Sequence, residues 1–249
     1  MNYPLVVFVS TFVVLWLSAL AGDAIRSRFL PFKEEDRDDL SVVIGAVLTL
    51  LGLLIGFTFS MAVTRYDQRK NYEEAEANSI GTEYVRADLL PAQDALRVRE
   101  LLKRYLDQRV LFYATRDPSE LAKVNSDTAD LQNQLWAVVR SAASVQPTPV
   151  LALAVSGMND VLNSQGYTQA AWWNRIPTAA WALMIVIAIC CNMLLGYGAR
   201  RTERRLSTIL PLAVALSFLL ISDIDSPRGG TIRVVPQNLI SLSHSLGAP

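Results

Sequence analysis

Histidine is almost missing: His244, near the C-terminus, is the single one in 249 residues. That excludes paired-imidazole metal sites and most histidine-activated nucleophiles. The two cysteines, Cys190 and Cys191, are neighbours inside an apolar run. Adjacent cysteines cannot build a disulfide framework, and these are expected to pack on lipid or on another helix. Charge is scarce and balanced, with 23 basic and 23 acidic residues and 18% charged overall. Zero net charge implies no bulk attraction to nucleic acid. No acid lies within the long apolar runs, no cysteine has a base beside it, and no glycine-rich loop could cradle phosphate. A membrane enzyme is therefore the weakest reading, with no catalytic residue, firm metal site or cofactor to nominate.

What is present in excess is apolar surface, 51% of residues. That is too much for an ordinary soluble domain, while the charges are too many for a chain lying wholly in lipid. Four runs without a charged residue cover 4–22, 41–64, 177–199 and 206–222. Each is about as long as the 17 to 25 residues that cross a hydrocarbon core of about 30 Å. The first run has no basic segment before it and only a weak Ser-Ala-Leu-Ala-Gly cleavage match, so it reads as a retained membrane helix rather than a secretory signal.

The expected fold is an all-α membrane protein in four segments. Residues 1–64 hold transmembrane helices 1 and 2, and 65–176 form a helical extramembrane domain. Residues 177–222 hold transmembrane helices 3 and 4, and 223–249 form a tail. The second span passes from Gly56-Phe57 into the charged run Arg65–Glu76 with no turn-forming Gly or Pro between them. One helix should therefore leave the bilayer and continue as the stem of the domain, ending near Leu90-Pro91, because proline disfavours helix at its predecessor. Arg69/Glu73 and Lys70/Glu74 are i,i+4 pairs, and the charged run reads as a solvated stem.

Further helices are expected over 92–115, where Val98, Leu102, Tyr105, Arg109 and Phe112 share a face, and after Asp117-Pro118-Ser119, a start signal supported by Glu120. In the latter, Leu121, Val124, Thr128, Leu131, Leu135, Val138 and Ala142 alternate three and four apart. Such a seam suits an antiparallel bundle within one subunit or a coiled coil between subunits. A fourth helix is expected over 150–163. A short amphipathic piece then carries Trp172, Trp173 and Arg175 to the membrane interface.

In the second span Gly45, Gly52, Gly56 and Ser60 form a small-residue stripe, a spacing that lets helix backbones approach closely in lipid. Beside it, four apart, lie Thr49, Leu53 and Phe57. Copies of this helix around an axis would stack those side chains into rings that gate ions by dewetting. Packing within one subunit is the plainer use of the same stripe.

Gly56-Phe57 followed by Val63-Thr64-Arg65-Tyr66 resembles the end of the pore helix in bestrophins. The order of two spans, helical insert, two spans and tail is similar too. The wider pattern, Ala75-xx-Asn78-xx-Gly81-xx-Tyr84-xx-Ala87-xx-Leu90-Pro91 with Asp223-Ile224-Asp225-Ser226-Pro227-xx-Gly230, resembles the bacterial bestrophin-like membrane proteins over nearly the whole chain. The resemblance implies a homopentameric anion (chloride) channel in a bacterial inner membrane, with a neck on Thr49, Leu53 and Phe57. Only Phe57 keeps the aromatic type of that neck, and the acidic calcium clasp of animal bestrophins has no counterpart. The partners implied are the bilayer, other copies of the chain and anions. The competing reading is a non-conducting scaffold or sensor whose helical domain binds a partner.

Asp223 and Asp225 leave the last span together, before Arg228. Two carboxylates two apart suit a hard cation such as Ca²⁺, or a structural pairing with Arg228 or Arg65. Sidedness is contested. Arg26, Arg28, Lys33, Arg37, Arg200, Arg201, Arg204 and Arg205 crowd the two short loops, against Arg65, Arg69, Lys70, Arg175, Arg228 and Arg233 opposite. The positive-inside rule therefore leans to a periplasmic helical domain. The bestrophin resemblance implies a cytoplasmic one.

Overall fold

The structure is a computed structural model that describes residues 4–28, 37–198 and 208–247. Lys33, Arg200, Arg201, Arg204 and Arg205, and the start of the fourth apolar run, lie outside the described residues. Eight α-helices and no strand are found among them: α1 (Pro4–Arg28), α2 (Arg37–Arg86), α3 (Ala92–Ala114), α4 (Pro118–Val145), α5 (Leu151–Trp173), α6 (Thr178–Gly198), α7 (Ile209–Asp225) and α8 (Gln237–Ser245). Segments within Pro4–Arg28, Arg37–Leu89 and Leu151–Gly198 are long and apolar enough to cross a membrane.

The chain divides into two compact units, Met1–Arg65 with Arg175–Arg233, and Tyr66–Asn174 with Val234–Pro249. The tail is thus shared: its first part belongs with the apolar helices and α8 with the helical unit.

In the first unit α1 packs on α6 and α7. Val7, Leu15 and Ala19 of α1 are buried, as are Met184 and Ala188 of α6 and Val214, Ala215 and Phe218 of α7. Trp181 and Phe218 meet edge to face at 5.6 Å. The tightest approach involves two glycines. A Cβ on Gly22 would sit 2.0 Å from the Met193 carbonyl oxygen, and one on Gly196 would sit 1.9 Å from that of Ala19. In lipid, where apolar burial drives little, such backbone proximity is a main source of attraction between helices. Cys191 is buried and Cys190 exposed, both as free thiols.

The second unit is a helical bundle around Leu102, Tyr105, Leu106, Phe112, Leu135, Val139, Met158 and Val161. Helix α2 yields to a 3-10 turn at Ala87–Leu89, and the Leu90 backbone is extended (φ −85°, ψ 160°) before Pro91. Helix α4 starts where Asp117 accepts hydrogen bonds from the Ser119 and Glu120 amides, with Pro118 in the first turn. A hydrogen bond from the Ser119 hydroxyl, together with those two, holds the exposed Asp117 carboxyl below its ordinary pKa. The α4 seam faces inward, against α3 and α5 of the same chain.

Two readings of the sequence need correction. Helix α5 does not stop near 163 but runs unbroken to Trp173. The expected end lies near Asn163, yet the buried stripe continues through Val161, Ser164, Thr168, Ala171 and Trp172. Packing on that stripe outweighs the weak helix propensity of Asn and Ser. Nor is the charged run of α2 a solvated stem. Arg69 and Glu73 are each 1% exposed and Glu76 0%, while Lys70 and Glu74 remain outside.

Candidate functional site

On α2 in the first unit, Thr49, Leu53 and Phe57 lie on one bare face. Leu53 is 52% and Phe57 61% exposed. Thr49 is exposed as well, and its hydroxyl donates to the Gly45 carbonyl at 2.8 Å, which satisfies its polarity within the helix. The small residues adjoin this face: among the described residues, nothing lies within 4 Å of where a Cβ would stand on Gly45, Gly52 or Gly56. Ser60 is exposed too. The inward side of α2 is carried by Leu51, Thr58 and Ala62. At about 100° per residue these three fall on the opposite side of the helix from Thr49, Gly56 and Ser60. Close packing within the subunit, the plainer use of the stripe, is not made here. Gly22 and Gly196 serve that purpose, and Gly45, Gly52 and Gly56 stay open among the described residues.

Asp223 and Asp225, at the end of α7, are both buried. Asp223 accepts hydrogen bonds from the Thr231 amide (2.8 Å) and hydroxyl (2.9 Å) and from the Ile232 amide (2.8 Å). Asp225 accepts from the Ile176 amide at 3.2 Å. Gly230 passes so near that a Cβ would lie 2.2 Å from the Asp223 carbonyl oxygen. The Asp-Ile-Asp-Ser-Pro-xx-Gly stretch thus closes a tight loop on its own carboxylate. Arg65 is half-buried and supplies none of the Asp223 hydrogen bonds, which come from Thr231 and Ile232. No cluster of three His, Cys, Asp or Glu suited to a metal occurs among the described residues.

The polar features that sequence reasoning missed are on the α2 stem in the second unit. Arg69 donates from Nε to the Ala171 carbonyl and from Nη2 to that of Asn174, both at 3.2 Å, and so caps the C-terminus of α5. Glu73 accepts from the Asn238 and Leu239 amides, both at 2.9 Å, and from Asn238 Nδ2 at 2.6 Å. A carboxylate there meets the positive end of the α8 dipole. Glu76 pairs with Arg109 and accepts from the Thr168 hydroxyl at 3.1 Å. Burial lowers the Arg109 pKa, but the Glu76 carboxylate together with Tyr105 and Tyr113 outweighs it and holds the guanidinium charged. The guanidinium also stands 4.4 Å from the Phe112 ring centre. Burial pushes the Tyr105 and Tyr113 hydroxyls up, with Glu76 adding to it, so both stay protonated.

One signal could have found this face. Arg69, Glu73, Glu76, Ile80, Glu83 and Ala87 alternate four and three apart, and all six are buried. The spacing is the α4 seam again, written mostly in charged letters.

Helices alone among the described residues, several of them apolar and of membrane-crossing length, define an all-α membrane protein. Residues 12–239 match the Bestrophin-like domain, and the chain belongs to the bestrophin-like family. Its fold is that of solved bacterial relatives. A mutant of the bestrophin homologue from Klebsiella pneumoniae superposes with a TM-score of 0.66 at 12% identity, over 96% of this chain and 97% of that one. The form of that homologue phased from zinc gives 0.63 at 12% identity, over 95% and 98%. No curated protein matches the sequence.

Proposed function

We propose that the chain forms a homo-oligomeric anion channel, a pentamer that passes chloride across a bacterial inner membrane. Four spans would anchor each subunit, with the helical domain inserted between the second and third. The observation that carries this reading is the bare face of α2. Leu53 and Phe57 are large and apolar yet exposed, and the adjoining glycines have no neighbour within 4 Å. A membrane helix with an open glycine stripe is suited to close approach by another helix, and a further copy of α2 is the natural candidate. Close packing of copies along the stripe would turn the Thr49, Leu53 and Phe57 side chains toward a common axis. Stacked apolar rings can then hold a narrow passage nearly dry.

Large anions shed water more readily than small, strongly hydrated cations, so apolar walls favour them. The cation-poor fit of such a pore agrees with the absence of acidic residues along α2 between Ser41 and Thr64.

Chloride flux in liposomes tests the proposal. Phe57→Ala removes a ring of bulk from every subunit at once, and faster flux than wild type is expected with assembly unchanged. Leu53→Ala should act in the same direction, more weakly. Intact oligomers without chloride flux under any condition would instead support a scaffold or sensor.

A further inference from the structure

Glu83 lies on the same buried face of α2 as Glu73 and Glu76, but nothing binds it. It is 0% exposed, and neither carboxylate oxygen has a hydrogen-bond partner among the described residues. Its space exists because residue 157 on α5 is glycine. A Cβ there would stand 2.0 Å from Glu83 Oε2 and 2.6 Å from Arg86 Nη1. Two charges act on the carboxyl: Arg86, three residues on along α2, favours ionisation, and Asp160, three residues beyond Gly157 on α5, opposes it. A buried carboxylate without a donor is costly, and such groups take up a proton instead. Burial is the main cause, and with Asp160 set against Arg86 the pKa is pushed up to about 8.

We propose that Glu83, wedged against Gly157, is a proton-operated latch between α2 and α5. Protonated, it is a neutral wedge that lets the two helices close over it. Ionised, it has no donor to satisfy it and opens the seam to reach water. The seam lies wholly within the helical unit, so the latch does not depend on a conducting pore. A metal cation does not substitute for the proton here, since among the described residues no cluster of three His, Cys, Asp or Glu is present and the one acid acting on Glu83, Asp160, is exposed.

The sign follows from linkage. The folded pKa of about 8 lies above the ordinary 4.5. Between those values the folded chain keeps a proton that the unfolded chain has released. The stabilisation is therefore complete below the lower value and is lost as pH rises through the upper one.

Hydrogen exchange on the full-length protein tests the latch, read on peptides covering 79–90 and 151–164 from pH 6.5 to 9.5, with labelling times scaled for intrinsic rates. Wild type should lose protection in both peptides together as pH rises from 6.5, levelling off above about 8. Glu83→Gln, which cannot ionise, should keep its protection across the range. Asp160→Asn changes an exposed side chain and should fold normally. It removes the acid that opposes ionisation, so the levelling-off should move to lower pH. Wild-type protection that does not change with pH overturns the proposal, as does an unmoved levelling-off point in Asp160→Asn. Loss of protection in Glu83→Gln on the wild-type profile overturns it too. If Glu83→Gln does not fold, the wild-type and Asp160→Asn profiles decide alone.

Discussion

Arg109 on α3 and Glu76 on α2 form an ion pair in which neither side chain is exposed. Thr168 on α5 donates a further hydrogen bond to the carboxylate, so one charge pair joins three helices of the bundle. Breaking such a pair leaves one uncompensated buried charge, whereas replacing both partners by apolar groups removes the problem altogether. Arg109→Leu should therefore destabilise the helical unit by about 3–5 kcal/mol. Glu76→Leu combined with Arg109→Leu should recover much of that loss. Thermal melting followed by tryptophan fluorescence checks it, because Trp172 packs on Phe112, 5.0 Å away, beside the pair.

Glu73 holds the N-terminal end of α8 by three hydrogen bonds. Hydrogen bonds to a charged group are worth about 1.5–3 kcal/mol, or roughly tenfold or more in local opening. Glu73→Ala should therefore speed proteolytic cleavage around 234–247 by about that factor. The rest of the bundle should keep its resistance. The contact of Leu242 with Gly81 should hold part of α8 in place.

The two sets of glycines should respond differently to a larger side chain. Gly196→Val has no room, since even a Cβ would overlap the Ala19 carbonyl, and it should cripple the folding of the subunit. A Cβ added at Gly56 meets nothing within 4 Å among the described residues, so Gly56→Val has room. It should leave the monomer folded and weaken assembly, seen as a shift toward smaller species in native mass spectrometry. Unchanged assembly in Gly56→Val would remove the basis for α2 as the contact between copies.

Sidedness has a direct measurement. Asn125 is exposed on α4. In a background with Cys190→Ala, Asn125→Cys should react with an impermeant thiol reagent on intact cells if the positive-inside rule governs. Reaction only after lysis would place the helical domain in the cytoplasm. The structure already trims the charge count behind the rule. Arg69 is 1% exposed and spent on the α5 carbonyls, so it is no longer a free cation at a membrane edge.

The sequence by itself determined the elements. Apolar runs of membrane-crossing length, the Asp117-Pro118 start, the Leu90-Pro91 stop and the α4 seam follow from local physics, namely length against bilayer thickness, capping, proline sterics and periodicity. Arg109 was already on the correct face, because it falls in step with Val98, Leu102, Tyr105 and Phe112. Family membership was legible as well, in the glycine, asparagine and aspartate spacings along α2 and after α7.

Only the tertiary structure decided what the polar residues do. Arg69, Glu73, Glu76 and Glu83 keep helical spacing with Ile80 and Ala87, but a charged side chain counts as exposed until a partner for it is known. The partners of Arg69, Glu73 and Glu76 lie far along the chain, at Ala171, Asn238 and Arg109, and the space for Glu83 is left by the distant Gly157. The same holds for the small residues. Nothing in the local sequence separates Gly22 and Gly196, which touch a neighbouring backbone, from Gly45, Gly52 and Gly56, which touch nothing. Close approach is a property of two helices at once, and it is not encoded in the spacing of either one.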